Sequence, residues 1–212
     1  MKTKAHIIYK TADGQRVAGC TTVVGLLSKP QLVNWANRLG LEGIDVTKYT
    51  DDLANVGTLA HELVLAHFTG NKVNTDDYTK NEIDRAENAT ISFLEWSKDK
   101  KITPIINEQP FVSEKLKFGG TIDLYAEVNG EKQLIDFKTG SGIYDDYFYQ
   151  LGGYALLLEE VGYKIDKAVI VRIGRDETEG FETKSVADLS VHKDIFKNLL
   201  NVYQLKKKIN RR

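Results

Sequence analysis

Two carboxylates and an ammonium group, Asp123, Asp136 and Lys138, occupy one short stretch whose turn chemistry brings them together. Asn129-Gly130 is a strong hairpin signal, because both residues accept the positive φ of a two-residue type I′ turn. With those two as the loop, Asp123 and Asp136 fall opposite each other, with Cβ atoms roughly 5 Å apart. Like charges so placed repel, and the pair calls for a cation between them. Lys138 shares the face of Asp136, since strand side chains alternate with a period of two. Ile122, Leu124, Ile135 and Phe137 are expected on the other, apolar face, and Leu134 on that of Asp136. Two acids and a lysine on the polar side of a buried hairpin form the layout of a metal-dependent phosphodiester-cleaving site.

Two further groups are spaced for chemistry. Gln150 and Tyr154, four apart on an expected helix, stack on one face where they can engage a single ligand. Leu151, Ala155 and Leu158 form the neighbouring, sheet-facing side. On an upstream helix, Gly57 precedes His61, whose neutral imidazole can join two carboxylates around a divalent ion. A lone histidine in an apolar helix is more often a packed residue, the reading kept for His67 and His192.

The elements that must hold these groups follow from local signals. His6–Tyr9 and Gln15–Cys20 flank Ala12-Asp13-Gly14 as a small hairpin, and Thr21 or Thr22 can cap a short helix. Pro30 opens a helix that Gly40 is expected to end, and a longer one covers Thr50 to Phe68. Thr79–Lys100 places Ile83, Ala86, Thr90, Phe93 and Leu94 at helical spacing. Strands near Thr103–Ser113, Lys117–Val128 and Lys132–Thr139 precede a helix from Tyr144 to Val161. Strands near Lys167–Ile173 and Gly180–Val186 and a helix from Leu189 to Ile209 complete the chain. The order helix, three strands, helix, strand describes an α/β mixed sheet covered by helices. One domain is expected over 1–212: hairpin and helices in 1–78, a core in 79–175, a strand and helix in 176–212.

Composition removes several classes. The single cysteine, Cys20, excludes an internal disulfide, a four-cysteine zinc site and a four-cysteine iron–sulfur cluster. No apolar run approaches the ~20 residues of a membrane helix, and the N-terminal segment lacks a signal-peptide core. A cytoplasmic location is expected, and the Asn88-Ala89-Thr90 sequon then has no role. With 29 basic and 30 acidic residues there is no global nucleic-acid signature, so basic surface must be sought locally. Lys206, Lys207, Lys208, Arg211 and Arg212 at the C-terminus read first as a solvated helix end, and second as a phosphate-tracking arm.

The four motifs in order, Gly57…His61, Gly120-Thr-Ile-Asp123, Asp136-Phe-Lys138 and Gln150…Tyr154, resemble the PD-(D/E)XK nuclease superfamily, specifically its RecB-like exonuclease branch. The opening segment from Tyr9 to Gly40 is similar to that of small phage and prophage nucleases. Ile122 stands where the named proline would be, and the cluster cysteines of some relatives are missing. The resemblance implies a restriction-endonuclease-like core and Mg²⁺ or Mn²⁺ held by His61, Asp123, Asp136 and the Phe137 carbonyl, without an iron–sulfur cluster. It implies Lys138 beside the attacking water and Gln150 and Tyr154 positioning the substrate, with Tyr144, Tyr147, Phe148 and Tyr149 near enough to stack on bases. Glu62, Glu82 and Glu108 are candidates for an additional glutamate found in some relatives. The implied activity is DNA exonuclease action in phage-type recombination, repair or processing. The implied substrate is DNA with a free end, and there is room for a recombinase or single-strand-binding partner and for oligomers. The competing readings are a non-catalytic nucleic-acid-binding relative, an endonuclease of the same fold, and a two-carboxylate glycosidase, in which Lys138 would have no role.

Overall fold

In the computed structural model, which describes residues 7–209, Asn129 and Gly130 take φ of 51° and 91° and close the expected type I′ turn. That turn joins β3 (Phe118–Val128) to β4 (Glu131–Lys138) in the expected register, from Val128 opposite Glu131 to Leu124 opposite Ile135. With β1 (Ala18–Gly19), β2 (Ile102–Ser113), β5 (Lys167–Ile173) and β6 (Phe181–Val186), they form a mixed six-stranded sheet among the described residues. The helices are α1 (Cys20–Val24), α2 (Pro30–Leu41), α3 (Val46–Thr69), α4 (Lys80–Ser97), α5 (Asp145–Glu160) and α6 (Ser190–Ile209). The middle of the chain thus runs helix, three strands, helix, strand, as the sequence indicates. α5 carries the chain back across the sheet, so β5 lies parallel to β4.

β3 is the hub. β2 pairs along one of its edges from end to end, while its other edge is shared. There β1 takes Phe118 and Gly119, and β4 takes Leu124 to Val128, so Gly120 to Asp123 has no strand partner on that side. Asp123 and Asp136 are therefore the first residues beyond the ladder rather than its last pair. The strict alternation also fails there. Leu124, Ile135 and Phe137 share one core, whereas Ile122 packs in the other with Tyr125 and Leu134. The cause lies opposite, in β2: Glu108 has a φ of 43° and is skipped between the pairs Asn107–Leu124 and Gln109–Ile122. A non-glycine residue in that region kinks its strand.

Two cores sandwich the sheet. On one side Phe118, Ile122, Tyr125, Leu134 and Ile170 meet Cys20 and Val23 of α1, Leu151 and Leu158 of α5, and Phe196 of α6. On the other, Leu124, Ile135, Phe137, Val169 and Val171 meet Leu59 and Val64 of α3 and Ala86, Ala89, Phe93 and Trp96 of α4. Each fully buried Leu, Ile or Phe contributes about 1.5–3 kcal/mol relative to exposure. Ala89 takes the place expected of Leu94, which is exposed.

Helix ends depart from expectation where caps lie outside the apolar pattern. α3 begins four residues early because the Asp45 carboxylate accepts the Lys48 N–H at 3.1 Å. α1 has Gly19, not a threonine, at its N-cap. α4 carries a full capping box between Thr79 and Glu82. Gly40 lies inside α2; the helix stops at Gly43 (φ 76°), where Gly43 N–H and Ile44 N–H donate to the Gly40 and Leu39 carbonyls. A methyl at Gly40 would meet nothing within 4 Å. Gly40→Ala should therefore stabilise by about 0.5–1 kcal/mol and raise the melting temperature by roughly 2 °C; a lower melting temperature would mean that α2 needs this glycine. The N-terminal hairpin is a single Lys10–Arg16 bridge, with His6 outside the described residues.

Candidate active site

The strands part at Asp123, and its carboxylate replaces the lost ladder bond: Oδ2 accepts the Phe137 N–H at 3.0 Å. His61 reaches the same point from α3. Its Nε2–H donates to the Phe137 carbonyl at 3.0 Å, and Nδ1 stands 3.6 Å from Asp123 Oδ2. The Phe137 ring fixes that carbonyl, packed edge-on against Phe93 at 5.5 Å and Trp96 at 6.1 Å. Gly57 brings α3 close, since a Cβ there would sit 3.2 Å from Thr139 Oγ1 just past β4.

Asp136 lies deeper, its side chain only 2% exposed, with Lys138 Nζ 2.6 Å from Oδ2. That contact is an ion pair without hydrogen-bond alignment, so Oδ2 has no aligned donor although it is buried. Burial, outweighing the Lys138 charge, pushes the Asp136 carboxyl up to about 6, and the Asp123 charge adds to the rise. Burial also opposes the Lys138 charge, but the negative fields of Asp136 and Asp123 prevail and hold its ammonium above the usual lysine value. The Tyr147 ring, 5.1 Å from Nζ, covers the lysine.

The sign of the resulting pH dependence is fixed. Folded Asp136 keeps its proton to about pH 6, whereas an unfolded aspartate loses it near 4. Its stabilising contribution is full below about pH 4 and fades as pH rises through about 6. Melting in EDTA across this window should show that loss in the wild type minus Asp136→Asn difference, which cancels the exposed carboxylates common to both. A flat difference would contradict the buried, ion-free carboxylate.

Glu108, one of three candidates for an extra acid, lies in a small pocket with His61, Asn107, Asp123 and Phe137. Surrounding protein atoms raise its carboxyl, and His61 opposes the rise. No sequence signal separates it from other strand acids, because the kink that sets it beside His61 is a backbone property. Glu82 is instead committed to the α4 capping box and to Asn55, and Glu62 neighbours His61 on α3.

Gln150 and Tyr154 do share a face of α5, but that face turns inward. Gln150 Nε2–H donates to Tyr154 Oη at 2.5 Å, and both side chains are buried. The Tyr154 ring covers Gly120 beside Cys20, where a Cβ on Gly120 would lie 2.7 Å from the ring. The two therefore meet on the packed side of α5, with Tyr154 within the field of Asp136 and Asp123, while Gly152 and Gly153 draw the helix against α6. Of the nearby aromatics, Tyr144 is exposed, Tyr147 covers Lys138 and Phe148 is buried. His192 packs on Phe148 and Tyr149, and His67 edges Phe68 and Phe93 away from this site.

Among the described residues no three His, Cys, Asp or Glu side chains are drawn together tightly enough to form a ready-made metal cluster. The donor set nonetheless fits a divalent ion. Neighbouring ligands of an octahedral ion with bonds of 2.0–2.1 Å stand about 3 Å apart, the separation of His61 Nε2 from the Phe137 carbonyl, 3.0 Å. With Nε2 on such an ion, the ring proton would sit on Nδ1, facing Asp123 Oδ2. Asp136 Oδ2 adds a buried oxygen with no aligned donor.

This sheet, with its acid pair and lysine where two strands part, is the frame of a nuclease class. A family model of the PD-(D/E)XK nuclease superfamily matches residues 37–210, and the chain belongs to that superfamily. No curated protein sequence matches it. Among solved structures it is similar to a phage-related exonuclease from Haemophilus somnus 129PT: 14% identity, 96% of this chain and 97% of that one covered, TM-score 0.43. It is also similar to the alkaline exonuclease LHK-Exo from Laribacter hongkongensis, at 12% identity, 92% and 94% coverage and TM-score 0.39. The same exonuclease in complex with dAMP gives 11% identity, 71% and 78% coverage and TM-score 0.42.

Proposed function

We propose that the chain is a divalent-metal-dependent deoxyribonuclease that degrades DNA from its ends. The observation that carries this reading is the meeting of His61, Asp123, the Phe137 carbonyl and the buried Asp136–Lys138 pair where β3 and β4 separate. His61, Asp123, Asp136 and the Phe137 carbonyl would hold Mg²⁺ or Mn²⁺, with Glu108 able to add a carboxylate from the pocket wall. When bound, the ion supplies a water of lowered pKa and neutralises charge on the phosphoryl oxygens. Lys138, held protonated by the two acids, serves to stabilise negative charge developing on the phosphate rather than to remove a proton. Tyr147 restricts the lysine's motion and keeps bulk water from one side of it.

Linear and covalently closed DNA, with Mg²⁺ or with EDTA, provide the test. Progressive loss of linear DNA, intact circles and silence in EDTA are expected. Discrete linear fragments from circles would make the chain an endonuclease of this fold, and full activity in EDTA would remove the metal site altogether. His61→Ala should raise the Mg²⁺ concentration needed for half-maximal activity by about 10–100-fold. Mn²⁺ should recover part of the activity, as it accepts nitrogen ligands more readily. Unchanged metal dependence with earlier melting would leave His61 a packing residue.

A further inference from the structure

Away from the acids, a basic pocket opens between the N-terminal hairpin, the start of β3 and the last turns of α6. Arg16, Lys117, Lys207 and Lys208 line it with Gln204, and no acid is among its lining residues. Its walls come from three distant parts of the chain, tied by Gln204 Nε2–H donating to the Leu116 carbonyl at 2.9 Å. Lys117 has a φ of 60°, a conformation that costs a lysine free energy. Its Nζ lies 3.2 Å from Glu114 outside the lining, which leaves Arg16, Lys207 and Lys208 as the principal charges. A plain helix-end role for the C-terminal lysines explains Lys206, which is exposed and outside the pocket. It does not explain Lys207, half-buried in the wall opposite an arginine from another element.

The pocket lies along the same edge of β3 as the candidate active site. β1 occupies that edge at Phe118 and Gly119, and β3 continues from Gly120, without a strand partner there, to Asp123. Six residues at about 3.3 Å each place Lys117 roughly 20 Å from Asp123. One strand of a duplex carries a phosphate about every 3.4 Å of helix axis, so measured along that axis this spans roughly six nucleotides.

We infer that this pocket is a second phosphate site, an anchor that grips the sugar–phosphate backbone of the DNA about six nucleotides from the bond being cut. The inference rests on the nuclease reading and adds a residue set that the reaction itself does not use. Anchoring requires phosphodiester charge but no particular base, since the lining offers cations and amides to oxygen atoms.

The test compares wild type with Arg16→Gln/Lys207→Gln, using a labelled duplex of about thirty base pairs and a tetranucleotide too short to reach the pocket. Binding of the duplex should weaken about tenfold at moderate salt, and the slope of log affinity against log salt should fall by about two, one for each lost phosphate contact. Cleavage of the tetranucleotide should stay within about twofold of wild type, which also shows that the variant is folded. Unchanged duplex affinity and salt slope would overturn the anchor while leaving the nuclease reading intact. So would equal losses on both substrates. Inorganic phosphate separates a free-anion site from a backbone site: if millimolar phosphate raises the wild-type melting temperature but not the variant's while duplex affinity is equal, the anchor is overturned. Absence of duplex binding and of cleavage by wild type would sink both readings together.

Discussion

Asp136→Asn should lower turnover on linear DNA by about 10³-fold or more, equivalent to at least about 4 kcal/mol of transition-state stabilisation. The substitution removes one charge from the most buried acid of the site and nothing from the sheet around it. Folding should survive, because that carboxylate is already held toward its neutral form by burial. Lys138→Ala should lose turnover on a similar scale but keep measurable Mn²⁺ binding, as an ammonium group is not a ligand. Calorimetric titration with Mn²⁺ separates the two: Asp136→Asn should bind the ion at least about tenfold more weakly, and Lys138→Ala within about threefold of wild type. Equal weakening in both would show that the ion pair builds the site as a unit, and a fast Asp136→Asn enzyme would refute the assignment.

The second large effect concerns the scaffold. At Gly152 a Cβ would lie 2.6 Å from the backbone carbon and oxygen of His192 and 2.9 Å from Lys193 N. Backbone cannot swing aside as a side chain can, so α5 and α6 would have to separate. Gly152→Ala should destabilise by about 2–3 kcal/mol, lowering the melting temperature by roughly 5–10 °C. Retention of wild-type melting would mean that the two helices approach less closely in solution. The contrast with Gly40, where a methyl meets nothing within 4 Å, makes the pair a controlled comparison within one protein.

What the sequence conveyed follows a physical line. Asn129-Gly130 sets the β3–β4 register by itself, so the convergence of Asp123, Asp136 and Lys138 was legible from local chemistry. The break in alternation at Ile122 was not, because it lies opposite the positive φ of Glu108 in β2, which no residue type there announces. Gln150 and Tyr154 were correctly placed on one helical face, but spacing carries no sign of whether that face meets solvent or sheet. The start of α4 at Thr79 was legible, whereas that of α3 rests on the single Asp45 cap, which lies outside the apolar stripe. Glu108 stayed indistinct because the positive φ that sets it beside His61 leaves no mark on a glutamate.

The two-residue contact of β1 with β3 has a consequence for how the molecule is made. Closing a loop of about a hundred residues carries an entropic cost that grows only slowly with length but must be met before any reward. Gly19 and Gly119 offer little side-chain burial in return, so β1 joins a β2–β3–β4 meander already formed from neighbouring segments. Cys20 and Val23 then dock against Leu151 and Tyr154 of α5, in the core that Phe196 of α6 completes. On the ribosome, β1 emerges well before α5 and α6, yet it finds its place after them. The wall behind Asp123 is therefore assembled only after α6 has been synthesised, and until then a nascent chain carries its acids without a closed site around them.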